Sequence, residues 1–263
     1  MKGINGRVRD SGMEEGLSSI RDNIYRIRER IAAAAGRAGR NADDIALVCV
    51  TKTRTPEEIS EVLRAGEFEL GENRVQEFLE KYDKVQYIAD DLGIKRNIKW
   101  NLIGHLQRNK VKYIAGKMAL IHSVDSFKLA EEINTRASRT GEPSEVLIQL
   151  NPAGEIQKSG AALSECEALA GEIEGRLPYV RLRGLMAVVP FADDPEDVRG
   201  YYRDVKNLFD KLAGKYMDKG RPFDKLSMGM TNDFEVAIEE GATIVRVGTA
   251  IFGPRRERTE DVV

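Results

Sequence analysis

The chain has 263 residues with 41 Lys and Arg against 43 Asp and Glu, a formal net charge of −2, and both signs are spread along it, which argues against a nucleic-acid or membrane-surface partner. No apolar run approaches the roughly 18 residues that a membrane helix needs, and the polar opening MKGINGRVRDSGMEEG has no apolar signal-peptide core. The two cysteines, Cys49 and Cys166, are too few for a secreted framework and read as buried free thiols, so a cytoplasmic location is expected.

The first element is a helix: Leu17, Ile20, Ile24, Ile27 and Ile31 recur at helical spacing, and Gly36 and Gly39 end the run. Ile45 to Val50 is a continuous apolar run rich in β-branched residues, as expected of a strand buried on both faces. Thr55 is placed to cap the next helix, with Pro56 at its first position, Glu57 and Glu58 in its first turn and Gly66 at its close. Phe68 to Leu70 predicts a short strand and Val75 to Tyr87 a helix; Trp100 to Ile103 predicts a strand and Lys110 to Ile114 a short helix. Leu120 to Val124 is the next strand, with Ser126 expected to cap the helix carrying Ala130, Ile133 and Ala137. Val146 to Leu150, then a helix from Ser164 to Leu177, continue the alternation. Strand Leu185–Val189 precedes a long helix with Val198, Tyr202, Val205, Leu208 and Leu212; strand Leu226–Met228 precedes helix Asp233–Glu240 and Gly241; Ile244–Val247 is the last strand.

Eight strands, each followed by a helix or helical turn, predict an α/β fold: a single (β/α)8 TIM-type barrel with an extra N-terminal helix. An open doubly wound sheet is the alternative, weakened because no Gly-rich dinucleotide fingerprint follows the first strand. No linker-like stretch divides the chain, so residues 1–263 are expected to form one domain, with 1–40 an N-terminal helix on the barrel and 254–263 a flexible tail.

In this fold the active site lies at the C-terminal ends of the strands. The first strand ends in Thr51-Lys52-Thr53. A lysine there would project into the barrel mouth, where partial desolvation makes its amine a better nucleophile toward aldehydes; snorkelling to solvent is the plain alternative. After the seventh strand comes Ser227-Met228-Gly229-Met230-Thr231-Asn232-Asp233, and after the eighth Arg246-Val247-Gly248-Thr249-Ala250. Both offer helix starts in the two places where this fold binds phosphate, although ordinary N-capping by Ser227 and Thr231 accounts for either taken singly. Together the three segments could hold a phosphorylated aldehyde across the mouth.

The ordered segments LVCVTKTRTPEEI, GENRVQEFLEK, KWNLIGHLQRNK, QLNPAGEIQKSG, RGLMAV, LSMGMTNDFEVAI and TIVRVGTAIFG run from residue 47 to 253. As a set they resemble the pyridoxal 5′-phosphate (PLP) homeostasis protein family, relatives of the N-terminal barrel of alanine racemases. The resemblance implies PLP as cofactor, held as a Schiff base on Lys52. It implies that Gly229, Met230 and Thr231, with Gly248 and Thr249, take the phosphate, and that Ser227 either reaches the phosphate or braces the loop. Arg246 would face the pyridine nitrogen, leaving it unprotonated and the ring a weaker electron sink than beside an acid; a barrel-layer or salt-bridging role is its alternative. Asn73 and Met186 would line the ring. Thr51 and Thr231 replace usual serines but keep a hydroxyl. Arg74 replaces a common aromatic and Asn101 a common histidine, departures expected to alter the outer wall of the pocket.

The related racemases supply a second base from a tyrosine in a C-terminal domain for which this chain shows no counterpart. The resemblance therefore implies a non-catalytic protein that buffers or delivers PLP, with PLP-dependent apoenzymes as partners, and keeps vitamin B6 and amino-acid pools in balance. A weak PLP-dependent amino-acid racemase is the alternative. His105 and His122 are the remaining candidate bases, each with a structural or surface role as the competing explanation. Lys158 matches a family lysine and is either a second PLP contact or a solvated loop lysine. The basic run of Arg108, Lys110 and Lys112 is explained by a solvated helix face. With no heptad seam or exposed apolar stripe, a monomer is expected.

Overall fold

The computed structural model describes residues 19–94, 97–155 and 157–254. Leu17, the tail from 255 onward and Ile156 lie outside the described residues. The first helix, α1 (Ile20–Arg37), starts where Ser19 Oγ accepts the Asp22 N–H at 3.1 Å. Its buried stripe of Ile24, Ile27, Ile31, Ala34 and Ala35 follows the predicted spacing.

Strand β1 (Ala46–Val50) leads to α2 (Pro56–Arg64), capped as expected by Thr55, whose Oγ1 accepts the Glu58 N–H; the Glu58 carboxylate also accepts the Thr55 N–H at 2.8 Å, which completes a reciprocal cap. There follow β2 (Glu69–Glu72), α3 (Val75–Asp91), β3 (Lys99–Leu102), α4 (Val111–Ile114), β4 (Leu120–Val124) and α5 (Phe127–Thr140). Then come β5 (Ser144–Leu150), α6 (Leu163–Arg176), β6 (Val180–Ala187), α7 (Arg199–Met217), β7 (Lys225–Ser227), α8 (Phe234–Glu239), β8 (Ile244–Val247) and the single turn α9 (Thr249–Phe252). All eight strands are parallel, each pairs with the next, and β8 closes on β1 through the register Val48↔Arg246. The predicted closed barrel is the observed one. Helix α1 packs on α8, α9 and α2, and Asn23 Nδ2 donates to Ile251 O at 2.8 Å.

Some local expectations need correction. Strand β6 starts at Val180 rather than Leu185, because Arg181 and Arg183 interrupt its apolar run. Arg183 binds Asp224 and Glu145 at the solvated lower rim of the barrel, so a charged residue pairs there without ending the strand. Within β6, a Cβ on Gly184 (φ +152°) would sit 1.8 Å from Lys225 O, so only glycine lets β7 approach. Ser126 occupies the N-cap position of α5 but makes no side-chain capping bond. Helix α6 begins at Leu163, its start held by Glu165, whose carboxylate accepts the Ala162 N–H at 3.3 Å.

Val48, Leu120, Leu147, Met186 and Ile244 pack together as an aliphatic cluster of the barrel interior. The outward faces of the strands, such as Leu47, Cys49 and Leu70, join the larger core beneath the helices. Cys49 and Cys166 are both free and buried, as expected. Among the described residues, no helix is long and apolar enough to cross a membrane, and no group of His, Cys, Asp and Glu is arranged to hold a metal ion.

Candidate functional site

The alternation of β1 puts Val48 and Val50 inward, and Lys52 follows two residues beyond the strand's end. Lys52 is half-buried. It lies in a turn closed by the Arg54 N–H donating to Thr51 O at 3.1 Å. The next residue, Thr53, has φ +63°, a left-handed conformation that a β-branched residue rarely adopts. The turn is clamped from outside the barrel. Lys81, on α3, donates to Thr51 O at 2.7 Å, to Glu72 Oε1 at 2.9 Å and to Glu77 Oε1 at 2.6 Å. Glu77 also accepts the Thr53 N–H, and the Thr51 hydroxyl lies 2.7 Å from Glu72 Oε1. Burial pushes the Glu72 carboxyl above its usual range, opposed by Lys81 and Thr51. From the other side, the buried Arg54 guanidinium donates to Gly253 O at 2.7 Å and Pro254 O at 3.1 Å, tying the turn to the end of α9.

Arg246 shares the β1–β8 register with Val48, four residues before Lys52 and so about 13 Å along the strand direction. It is buried, and among the described residues no carboxylate pairs with it. Its Nη1 donates to Ser227 Oγ at 2.7 Å and its Nη2 to Ala187 O at 3.0 Å. Burial lowers its pKa, opposed by Tyr202 and Asp233, yet a guanidinium keeps its charge in proteins. Beyond Ser227 the contacts continue: His122 Nδ1 lies 3.0 Å from Ser227 Oγ, and His122 Nε2 lies 3.1 Å from Asn101 Oδ1. Asn101 Nδ2 in turn reaches Glu69 Oε2 at 2.9 Å. His122 is fully buried, and desolvation, then Arg246 and Lys225, push its pKa well below the ordinary value.

The loop after β7 is shaped by two residues. Gly229 has φ +91°, and a Cβ there would meet Ala237 Cβ at 2.6 Å and Phe234 Cα at 2.8 Å. Asp233 Oδ1 accepts the Met230 N–H at 2.6 Å, while Met230 O accepts the Asp233 N–H at 3.1 Å. That reciprocal turn presents the half-buried Thr231 before α8, with Met230 exposed. Neither Ser227 nor Thr231 is an N-cap: Ser227 lies within β7 with its hydroxyl turned to Arg246 and His122, and Asp233 occupies the N-cap position of α8. Gly248 precedes α9 at the same end of the neighbouring strand, with Thr249 exposed.

Among the other expected positions, Met186 belongs to the interior aliphatic cluster. Asn73 is half-buried, and its backbone is approached by Gly104 so closely that a Cβ there would lie 2.3 Å from Asn73 O. Asn101, expected at the outer wall of the pocket, is instead buried inside the barrel against His122, because strand alternation sends it inward. Lys158 Nζ donates to Val189 O at 3.0 Å and pairs with Glu155. His105 is exposed, with Ser159 Oγ 3.1 Å from its Nδ1. Sequence reasoning passed over Glu72, Glu77, Lys81 and Arg54. The available signal was a charged residue, Glu72, ending a buried strand with Lys81 nine residues later on a helix.

A cleft of about 690 Å³ lies at the opposite rim, lined by Leu177, Leu182, Arg183, Tyr216 and Arg221. Arg183 and Arg221 are already paired with Glu145, Asp224 and Glu174. Size alone does not outweigh the chemistry at the C-terminal end of the barrel, where Lys52 follows β1, the buried Arg246 lies on β8 and Gly229 and Gly248 follow β7 and β8. That donor set fits a flat, phosphorylated aldehyde with a basic ring nitrogen.

Comparison with known proteins agrees with this shape. The family model described as "Alanine racemase, N-terminal domain" matches residues 17–256. The chain is 45% identical over 235 residues to the pyridoxal phosphate homeostasis protein of Aquifex aeolicus (strain VF5), covering 89% of this chain and 98% of that protein. It is 38% identical over 241 residues to the protein of the same name from Escherichia coli (strain K12), covering 91% and 98%. Among solved structures, PipY of Synechococcus elongatus PCC7942 with PLP bound superposes with a TM-score of 0.71 at 30% identity, covering 86% of this chain and all of that one. An alanine racemase of Clostridium difficile 630, 17% identical with a TM-score of 0.63, shares the fold over 59% of its length. The chain belongs to the pyridoxal phosphate homeostasis protein family, within the wider family of the alanine racemase N-terminal domain.

Proposed function

We propose that this protein binds PLP at the barrel mouth and buffers or delivers it, maintaining vitamin B6 and amino-acid pools in the cytoplasm without turning over a substrate of its own. The observation that carries the reading is the placement of Lys52 just beyond β1, the strand next to β8 and its buried Arg246, which shares its register with Val48. Lys52 would hold the cofactor through its aldehyde, its amine being the nucleophile at this end of the barrel. PLP supplies an aldehyde carbon and an electron-accepting ring. This chain's residues hold and orient it: Arg246 donates toward the ring nitrogen, Asn73 and Met186 line the ring, and Gly229, Met230, Thr231, Gly248 and Thr249 take the phosphate. Ser227 acts through Arg246, since its hydroxyl is already bound there.

A donor-only arginine keeps the ring nitrogen unprotonated, which weakens carbanion stabilisation and favours storage over turnover. PLP-dependent apoenzymes are the recipients in this reading, and the chain works as a monomeric single domain over 1–263. Adding PLP to purified protein should give a yellow product that borohydride fixes covalently to Lys52, and Lys52→Ala should stay colourless. A wild type that remains colourless overturns the reading. Steady conversion of L-alanine to D-alanine, abolished by Lys52→Ala, would replace the carrier role with a racemase.

A further inference from the structure

The polar side chains inside the barrel leave no freedom in where their hydrogens lie. Arg246 Nη1 can only donate, so Ser227 Oγ, 2.7 Å away, must accept. The Ser227 hydrogen is then directed to His122 Nδ1 at 3.0 Å. At the far end, Glu69 is an acceptor when ionised, so Asn101 presents Nδ2 to it at 2.9 Å and Oδ1 to His122 Nε2 at 3.1 Å. The Nε2 therefore carries the imidazole proton. Both ends require the same neutral tautomer, and the donors run in one direction: Arg246 to Ser227 to His122 to Asn101 to Glu69.

All of these groups except Glu69 are buried. A reversed Ser227 hydroxyl would point its hydrogen at a cation, so the order is enforced by the cost of an unpaired buried donor. Arg246 thus has Nη1 and Nη2 anchored to Ser227 and Ala187 O.

We propose that His122 is a positioning residue for the ligand's ring nitrogen: as a neutral acceptor it fixes the Ser227 hydroxyl, which fixes the Arg246 guanidinium with its remaining N–H groups directed to the mouth. The inference rests on the PLP placement given above and adds a residue that does not itself touch the cofactor. A carboxylate in place of His122 would pull the guanidinium away from the ring; an aliphatic side chain would let Ser227 turn.

The test uses the full-length protein loaded with PLP labelled with 15N in the ring. His122→Leu should move the ring-nitrogen chemical shift in the same direction as Arg246→Gln and weaken PLP binding about tenfold, the order lost with a hydrogen bond to a charged group. His122→Gln, which keeps an acceptor and a donor, should restore most of both. If His122→Leu does not fold by circular dichroism, Ser227→Ala cuts the same chain at its next link and should move the signal likewise. A folded His122→Leu, or failing that a Ser227→Ala, whose ring-nitrogen shift and affinity match wild type overturns the inference. An Arg246→Gln that binds PLP with an unmoved ring-nitrogen shift overturns the ring placement beneath it instead.

Discussion

Lys81 Nζ lies 2.9 Å from Glu72 Oε1 in the layer between the sheet and α3, with the Glu72 side chain fully buried and that of Lys81 nearly so. This pair sits behind the Lys52 turn rather than in the mouth. Its lysine also holds Thr51 O, and its second carboxylate partner, Glu77, holds the Thr53 N–H. The left-handed Thr53 is therefore over-determined by an ion-pair cluster, which is the condition under which a strained turn persists.

Lys81→Met should leave the Glu72 charge buried without its cation. The expected loss is about 3–5 kcal/mol of unfolding free energy by chemical denaturation. Glu72→Gln in the same chain should recover much of it, because the uncompensated charge is gone. The single variant should also attach PLP to Lys52 more slowly than wild type, since the turn loses its main anchor.

His122 gives a signed pH dependence. Its folded pKa is depressed by burial and by Arg246 and Lys225, so the unfolded chain takes up a proton that the folded one resists. Stability is then fully present above the unfolded value of about 6.5 and falls as pH drops below it, by at most about 1.4 kcal/mol per pH unit. Denaturant titrations across this range should show the fall, and His122→Gln should flatten it. The chain has two histidines, and His122→Gln isolates the contribution of the buried one.

The barrel was legible because its signals are local. Apolar runs such as Ile45–Val50 and cap chemistry such as Thr55-Pro56 with Glu58 depend on neighbours in sequence. The candidate Lys52 was legible for the same reason, as the residue that ends a strand. What was not legible depends on register across the barrel. Asn101, His122, Ser227 and Arg246 come from β3, β4, β7 and β8, and only closure of the sheet makes them consecutive. Asn101 was read as pocket wall because its inward direction is set by the pleat of β3. Lys81 looked like an ordinary helix lysine until α3 packed on the ends of β1 and β2.

Gly229 should be intolerant of a side chain. At φ +91°, with Ala237 Cβ 2.6 Å from the position of an added Cβ, Gly229→Ala is both strained and overpacked. The expected cost is about 1–3 kcal/mol, with weaker PLP binding because the β7–α8 loop is displaced. Gly36→Ala is the matched control: nothing lies within 4 Å of its Cβ position, and in α1 it should be neutral or stabilising by up to about 1 kcal/mol.

Both thiols should be silent in the native state. Burial raises Cys49 well above the ordinary thiol value and pushes Cys166 up to about 12. A thiolate-specific reagent at mildly alkaline pH should label neither until guanidinium is added, then both. Fast labelling of one in the folded protein would mean local opening of β1 at Cys49 or of α6 at Cys166.

His105 bears on whether the mouth can racemise. Ser159 Oγ lies 3.1 Å from His105 Nδ1, and Asp125 Oδ2 lies 3.7 Å from the same nitrogen. A serine–histidine–aspartate relay needs its hydroxyl and carboxylate on opposite ring nitrogens, so that one takes a proton while the other steadies the ring. Here they compete for one nitrogen on an exposed imidazole, an arrangement that orients the loops after β3, β4 and β5 but builds no activated base. His105→Gln should therefore keep the yellow colour and hold PLP within about threefold of wild type, a change below 1 kcal/mol. If wild type forms any trace of D-alanine, the variant should form it at the same rate. A rate that collapses in His105→Gln while PLP stays bound would make this histidine the second base and the protein an enzyme.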